Sequence, residues 1–175
     1  MSWEIIDIHR LSARKITFDI LIWGPSEEHS YLYTLRKEIK DYCTNSGHSA
    51  KFSEELILEG NIKSAPNPLT DEFFHADAAN LIIVLYESRG TQTEYDRILK
   101  YNKFIGKSLI FVEIAMWEKI SISLSGFEWT KNNRNLSIIG KFNSKEIIKT
   151  IHNHLEELQF SEYLRSLEIK LLSKI

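Results

Sequence analysis

The segment NLIIVLY, residues 80–86, carries six consecutive apolar side chains, the longest such run in the chain. Successive side chains of a strand point to opposite faces, so this strand presents apolar surface to both. Only a strand covered above and below hides both faces, as a central strand of a parallel sheet is. This one segment predicts helices on both sides of a sheet, with residues 80–86 in its middle.

The rest of the chain supplies the other layers. ITFDILIW (16–23) is an apolar, β-branched run that Gly24 and Pro25 stop. SYLYTLRKEIKDYCTNSGH then repeats apolar residues at Leu32, Leu35, Ile39 and Tyr42, a helical stripe that Gly47 closes as a C-terminal cap. SAKFSEEL reads as a short strand. EGNIKSAPNPLTDEFF holds two of the three prolines and reads as a connection. A helix is expected over 92–105, with Tyr95, Ile98, Leu99 and Ile105 on one side. KSLIFVEIAM and NLSIIGKF are the remaining strands, and Asn143 with Glu146 forms a capping pair that opens the helix SKEIIKTIHNHLEEL. Strands alternating with amphipathic helices give an α/β fold, a doubly wound, flavodoxin-like domain on a five-stranded parallel sheet, over residues 1–159. Residues 160–175 add a C-terminal helix with a stripe of Phe160, Leu164, Leu167, Leu171 and Ile175. That stripe is expected to lie against protein: its own chain, a second copy in a homo-oligomer, or another partner.

Bulk properties narrow the function classes. At 175 residues the chain is long enough for one well-buried core. A net charge of -2 supplies no field to attract nucleic acid, and no basic block replaces it. No apolar run approaches the roughly 18 residues of a membrane span. The N-terminus MSWEIIDIHR lacks the basic and apolar regions of a signal peptide. The lone cysteine, Cys43, allows no internal disulfide and fits a reducing, cytoplasmic setting; it reads as a buried, inert thiol. His152 and His154 lie two apart on a helix and point to different faces, so no metal site is expected from the six histidines.

In an open parallel sheet, ligands collect outside the carboxyl ends of the strands, where strand order reverses. Three stretches leave such ends with suitable chemistry. WGPSEE offers Trp23 as a stacking face and the Gly24–Pro25 turn for close backbone approach. SEEL offers Glu54 and Glu55, which either contact ribose hydroxyls or stand as an exposed pair at a helix start. ESRGTQTEYDRI (87–98) offers Ser88, Gly90, Thr91 and Glu94 at the mouth of a helix, whose free amides favour an anion. Thr91 and Glu94 also have the T-x-x-E spacing of a capping box, so Glu94 is a helix cap, a ligand-facing carboxylate or both. Asp77 in HADAAN caps or turns the chain before the central strand. Trp129, in the polar stretch GFEWTKNNRN, stacks on a base or packs.

On these residues the chain resembles the nucleoside 2-deoxyribosyltransferases. GTQTEYD is similar to their G-T-A-x-E stretch, with Gly90, Thr91 and Glu94 on the matching positions, and ILIWGP is similar to their first strand and the turn after it. The resemblance covers residues 16 to 115. It implies that Glu94 attacks or stabilises the anomeric carbon as an N-glycosidic bond breaks. Ser88 stands where the family has an aspartate and Asp96 where it has a glycine, so cleavage is implied more firmly than base exchange between nucleosides. The same stretch resembles TIR domains, in which a glutamate after the third strand cleaves NAD. Both resemblances imply a nucleotide or NAD as substrate, with no cofactor, and small proteins resembling these families serve in bacterial antiviral defence. The alternative from a different class is a non-catalytic module of the same fold that senses a nucleotide or binds a partner.

Overall fold

The computed structural model describes residues 9–27, 30–59, 68–87, 102–121 and 136–172. These fall into two compact units, Phe18–Ile147 and Met1–Thr17 with Ile148–Ile175. In chain order the elements are β1 (Asp19–Trp23), α1 (Ser30–Asn45), β2 (Ser49–Phe52), α2 (Ser53–Glu59), α3 (Pro68–Ala78), β3 (Leu81–Tyr86), α4 (Asn102–Ile105), β4 (Ser108–Glu113), α5 (Ile114–Ser121), β5 (Leu136–Ile139) and α6 (Ser144–Leu172).

The larger unit is an α/β fold on a five-stranded sheet of order β2-β1-β3-β4-β5, and every neighbouring pair is parallel. That is the flavodoxin-like order, and β3 is the middle strand as its composition requires. All six of its side chains are buried. Ile82, Val84 and Tyr86 join Leu21, Trp23, Ile110 and Val112 in a cluster with Ala76 of α3 and Phe104 of α4, against which Leu56, Met116 and Trp117 pack. Leu81, Ile83 and Leu85 turn to the other face and are also buried, as are Ile20, Ile22 and Phe111 on the neighbouring strands. Each such side chain contributes roughly 1.5–3 kcal/mol on leaving water, so an edge position for β3 would forfeit much of that.

Helix α1 ends as expected. Gly47 has φ of +90°, its N–H donates to Thr44 O at 3.0 Å, and the His48 N–H donates to Cys43 O at 3.0 Å. This is a Schellman cap, which needs a left-handed residue at that point. The buried stripe differs from the expected one at its end: it runs Leu32, Leu35, Ile39 and Cys43, with Tyr42 only half-buried. Burial pushes the Cys43 thiol up to about 12. The thiolate is the reactive form, so a thiol reagent such as a disulfide probe should leave Cys43 untouched in the native protein and label it fully in denaturant. Rapid native-state labelling would contradict that.

Several elements differ from their expected extents: β1 and β5 are shorter than ITFDILIW and NLSIIGKF, and the helix expected from residue 160 continues α6. SAKFSEEL divides into β2 and α2, because the Glu55 carboxylate reaches back to accept the Phe52 N–H at 2.9 Å and starts a helix there. Part of the expected proline-rich connection is helix α3, with Pro68 in its first position, where a missing N–H and a fixed φ suit a helix start. The last turn of α3 holds Asp77, paired with Lys103 at 2.6 Å, and Lys107 Nζ donates to the Asp77 and Ala79 carbonyls at the helix end. KSLIFVEIAM is a strand only to Glu113, after which α5 begins. Residues 92–101 of the expected helix lie outside the described residues. In the part described, Phe104 is fully buried and Ile105 half-buried. Asn143 caps α6 as expected, its Oδ1 accepting the Lys145 N–H at 3.0 Å and the Glu146 N–H at 3.4 Å.

The smaller unit joins helical residues 9–13 to the body of α6, which runs unbroken through Gln159 and Phe160. Buried Gln159 donates through Nε2 to Ile16 O at 2.8 Å, Arg14 pairs with Glu156 at 2.7 Å, and His9 Nδ1 lies 3.0 Å from the Tyr163 hydroxyl. Along the C-terminal stripe Phe160 and Leu167 are half-buried, whereas Leu164 is 47% exposed. Among the described residues, no helix is long and apolar enough to cross a membrane.

Candidate functional site

Strand order reverses between β1 and β3: the chain leaves β1 for β2 on one side and later returns to β3 on the other. The carboxyl ends of these two strands therefore flank the position where this architecture collects ligands. On the β1 side the rim is made of Trp23, Gly24 and Pro25, and on the β3 side Glu87 stands half-buried at the strand exit.

The centre of the rim is Arg36, which the sequence reading passed over. It projects from α1 and is 1% exposed. Its Nη1 donates to Pro25 O at 2.9 Å and to Glu54 Oε1 at 2.9 Å. Its Nη2 donates to Ile22 O at 3.1 Å and to Glu54 Oε2 at 3.0 Å. The guanidinium also lies over the Phe52 ring, 4.3 Å from its centroid. A buried cation needs a counter-charge and hydrogen-bond acceptors, and the end of β1 and the head of α2 supply both to the two terminal nitrogens; among the described residues the buried Nε has no partner. The sequence signal was present: Arg36 falls at the i+4 position from Leu32, on the side that the apolar stripe buries.

Trp23 follows Leu21 on the cluster face by strand alternation and is 2% exposed, so its indole packs in the core and is not an open stacking face. Gly24 is needed for close approach, as expected, but of protein. A Cβ there would lie 3.0 Å from Arg36 Cδ and 3.2 Å from Leu85 Cβ. Pro25 is buried and its carbonyl serves Arg36. Glu54 stands in the first turn of α2, with a side chain 48% exposed. Ser88, Gly90, Thr91, Glu94 and Trp129 lie outside the described residues. Of the predicted set, Gly24, Pro25 and Glu54 thus meet around one guanidinium.

The charge state of the rim follows from these contacts. Partial burial would raise the Glu54 carboxyl, but the Arg36 hydrogen bonds and charge overcome it and hold the group below the usual carboxylate range. Glu54 is therefore an ionised acceptor: it can take N–H or O–H donors but is not a general acid at neutral pH. Next to it, Glu55 is likewise held low, with burial opposing and the bidentate contact with Lys40 prevailing. Tyr33, hydrogen-bonded to Glu27 in the turn after β1, is held above its usual range. At the β4 and β5 ends, Glu113 Oε1 accepts the Phe142 N–H at 2.8 Å, and the Tyr31 hydroxyl donates to Phe142 O at 2.6 Å. These bonds strap the segment after β5 across the neighbouring strand end. Among the described residues no group of three or more histidine, cysteine or acidic side chains is placed to hold a metal. A cavity of about 200 Å³ lies elsewhere in this unit, lined by Asp19, Ser49 and Ala79 near the amino ends of the strands.

Gly24→Ala tests the packing at the turn. Arg36 is tied at four points and cannot swing away cheaply, so the added methyl should destabilise the fold by roughly 1–3 kcal/mol, as overpacking does. Denaturant melts measure it, and a neutral result would mean that Arg36 is held loosely.

No family model matches the chain, and no curated protein matches it in sequence. Among solved structures it is similar to BcmB, a CMP N-glycosidase of Clostridium botulinum, at 11% identity and a TM-score of 0.49, over 77% of this chain and 98% of that one.

Proposed function

We propose that the chain cleaves the N-glycosidic bond of a nucleotide or of NAD. The observation that supports this is the strand order. It sets the Gly24–Pro25 turn, the Arg36–Glu54 pair and the exit of β3 along one rim, and the β3 exit opens the stretch that contains Gly90, Thr91 and Glu94. In this reading Glu94 is the catalytic carboxylate. As the bond from C1′ to the base breaks, its electron pair leaves with the base and positive charge develops on C1′ and the ring oxygen. A carboxylate beside that centre stabilises the charge or forms a bond to C1′, and water or another acceptor then completes the transfer. Ser88, Gly90 and Thr91 hold the ligand with Glu54, beside the Gly24–Pro25 turn, and Trp129 stacks on the base. NAD is a substrate here and not a cofactor. A role in antiviral defence would follow from depletion of such a nucleotide.

The test is incubation of the purified chain with NAD and with a panel of ribonucleotides and deoxyribonucleotides, with chromatography of the products. Release of a free base together with the matching sugar product is expected for at least one of them. Complete recovery of every nucleotide would overturn the reading.

A further inference from the structure

We propose that Arg36 is a positioning residue for this rim: it joins the turn after β1 and the head of α2 into one rigid body, so that a ligand meets the Glu54 carboxylate in a fixed relation to the Gly24–Pro25 turn. The role in ligand binding rests on the glycosidase reading; the mechanical coupling does not.

The geometry that carries it is the division of donors. Each terminal nitrogen of Arg36 spends one N–H on the β1 end, at Ile22 O or Pro25 O, and one on the Glu54 carboxylate. Neither segment can shift without breaking two bonds of the same planar group. The Phe52 ring fixes the plane of that group, and the side-chain carbons occupy the space next to Gly24. A well-packed apolar side chain would serve stability as well as a buried ion pair does, so what the pair adds is a defined arrangement. The exposure is one-sided, with 1% for the Arg36 side chain and 48% for that of Glu54, so a ligand would meet the carboxylate and not the cation. Lysine offers one nitrogen in place of a planar fork and cannot hold four acceptors in this geometry.

The experiment compares the full chain with Arg36→Lys and with Glu54→Asp, which keeps both charges but draws the carboxylate back by one methylene. Amide exchange is followed by mass spectrometry over residues 20–27 and 49–56. In both variants the two segments should lose protection together, by about 10-fold or more beyond any loss seen in β3. With the nucleotide that the wild-type chain cleaves, KM should rise about 10-fold with kcat nearly unchanged, as loss of uniform binding requires. Loosening of one segment alone or of neither, or a fall in kcat at constant KM, would overturn the proposal. If the wild type cleaves nothing, the glycosidase reading fails, and the exchange data still decide whether Arg36 couples the two segments.

Discussion

Glu54→Gln is expected to destabilise the fold by roughly 3 kcal/mol, although it changes a half-exposed residue. Exposure of the residue itself misleads here, because the consequence falls on its partner. Glutamine leaves the 1%-exposed Arg36 guanidinium without a counter-charge, and removing one member of a buried pair typically costs 3–5 kcal/mol. Solvent at the Glu54 side, 48% exposed, places the expected value at the lower end of that range. For a chain of this size the melting temperature should fall by roughly 10 °C. Arg36→Met is different in kind: it frees Glu54 to hydrate but leaves the Ile22 and Pro25 carbonyls without their donor. The double variant removes the stranded cation as well, so its loss should be smaller than the sum of the single losses by about 1 kcal/mol or more. Urea melts of the four proteins measure this. A Glu54→Gln protein within about 0.5 kcal/mol of wild type would show that the guanidinium finds water or another partner.

The same pair has a pH signature. The folded Glu54 carboxyl is held below its ordinary range, so its contribution is complete at neutral pH and is lost as pH falls through the folded value. The gap between wild type and Glu54→Gln should therefore close on acidification. His48 contributes separately: burial lowers its imidazole, and Nδ1 accepts the Phe18 N–H at 3.2 Å. A lowered histidine favours the fold above its ordinary range and weakens it as pH falls below. That loss is common to both proteins and cancels in their difference.

How far the fold could be read from the sequence depended on how many physical demands met at one residue. The central place of β3 followed from six side chains that need cover on two faces. Gly47 followed from a helix that must end. Short apolar runs were harder, because LIFVEIAM suits a strand and a helix equally over so few residues, and β4 gives way to α5 at Glu113 with no turn residue to mark the change. Pro68 carried a helix-start signal, yet Pro66 and Asn67 before it gave the stretch the look of a loop. Arg36 was hidden for a different reason. A cation within an apolar stripe reads as an interruption until its acceptors are known, and those lie on β1 and α2, brought together only by the tertiary fold. Trp23 was misread because the end of a strand suggested a ligand, whereas alternation from Leu21 had already assigned it to the core.

Glu94→Gln carries the largest effect expected on activity. Glutamine keeps the size of the side chain and remains acceptable in a capping box, so a purely structural Glu94 would tolerate it with a stability change of about 1 kcal/mol or less. A carboxylate that faces the developing cation at C1′ behaves differently. Loss of its charge removes electrostatic stabilisation that exists mainly in the transition state, typically about 100-fold or more in rate. The decisive measurement is base release from NAD and the nucleotide panel by wild type and Glu94→Gln, with both melting curves recorded beside it. A loss of about 100-fold or more in turnover at an almost unchanged melting temperature is the predicted result. Equal base release by the two proteins would contradict the assignment of Glu94, and with it the proposed glycosidase mechanism.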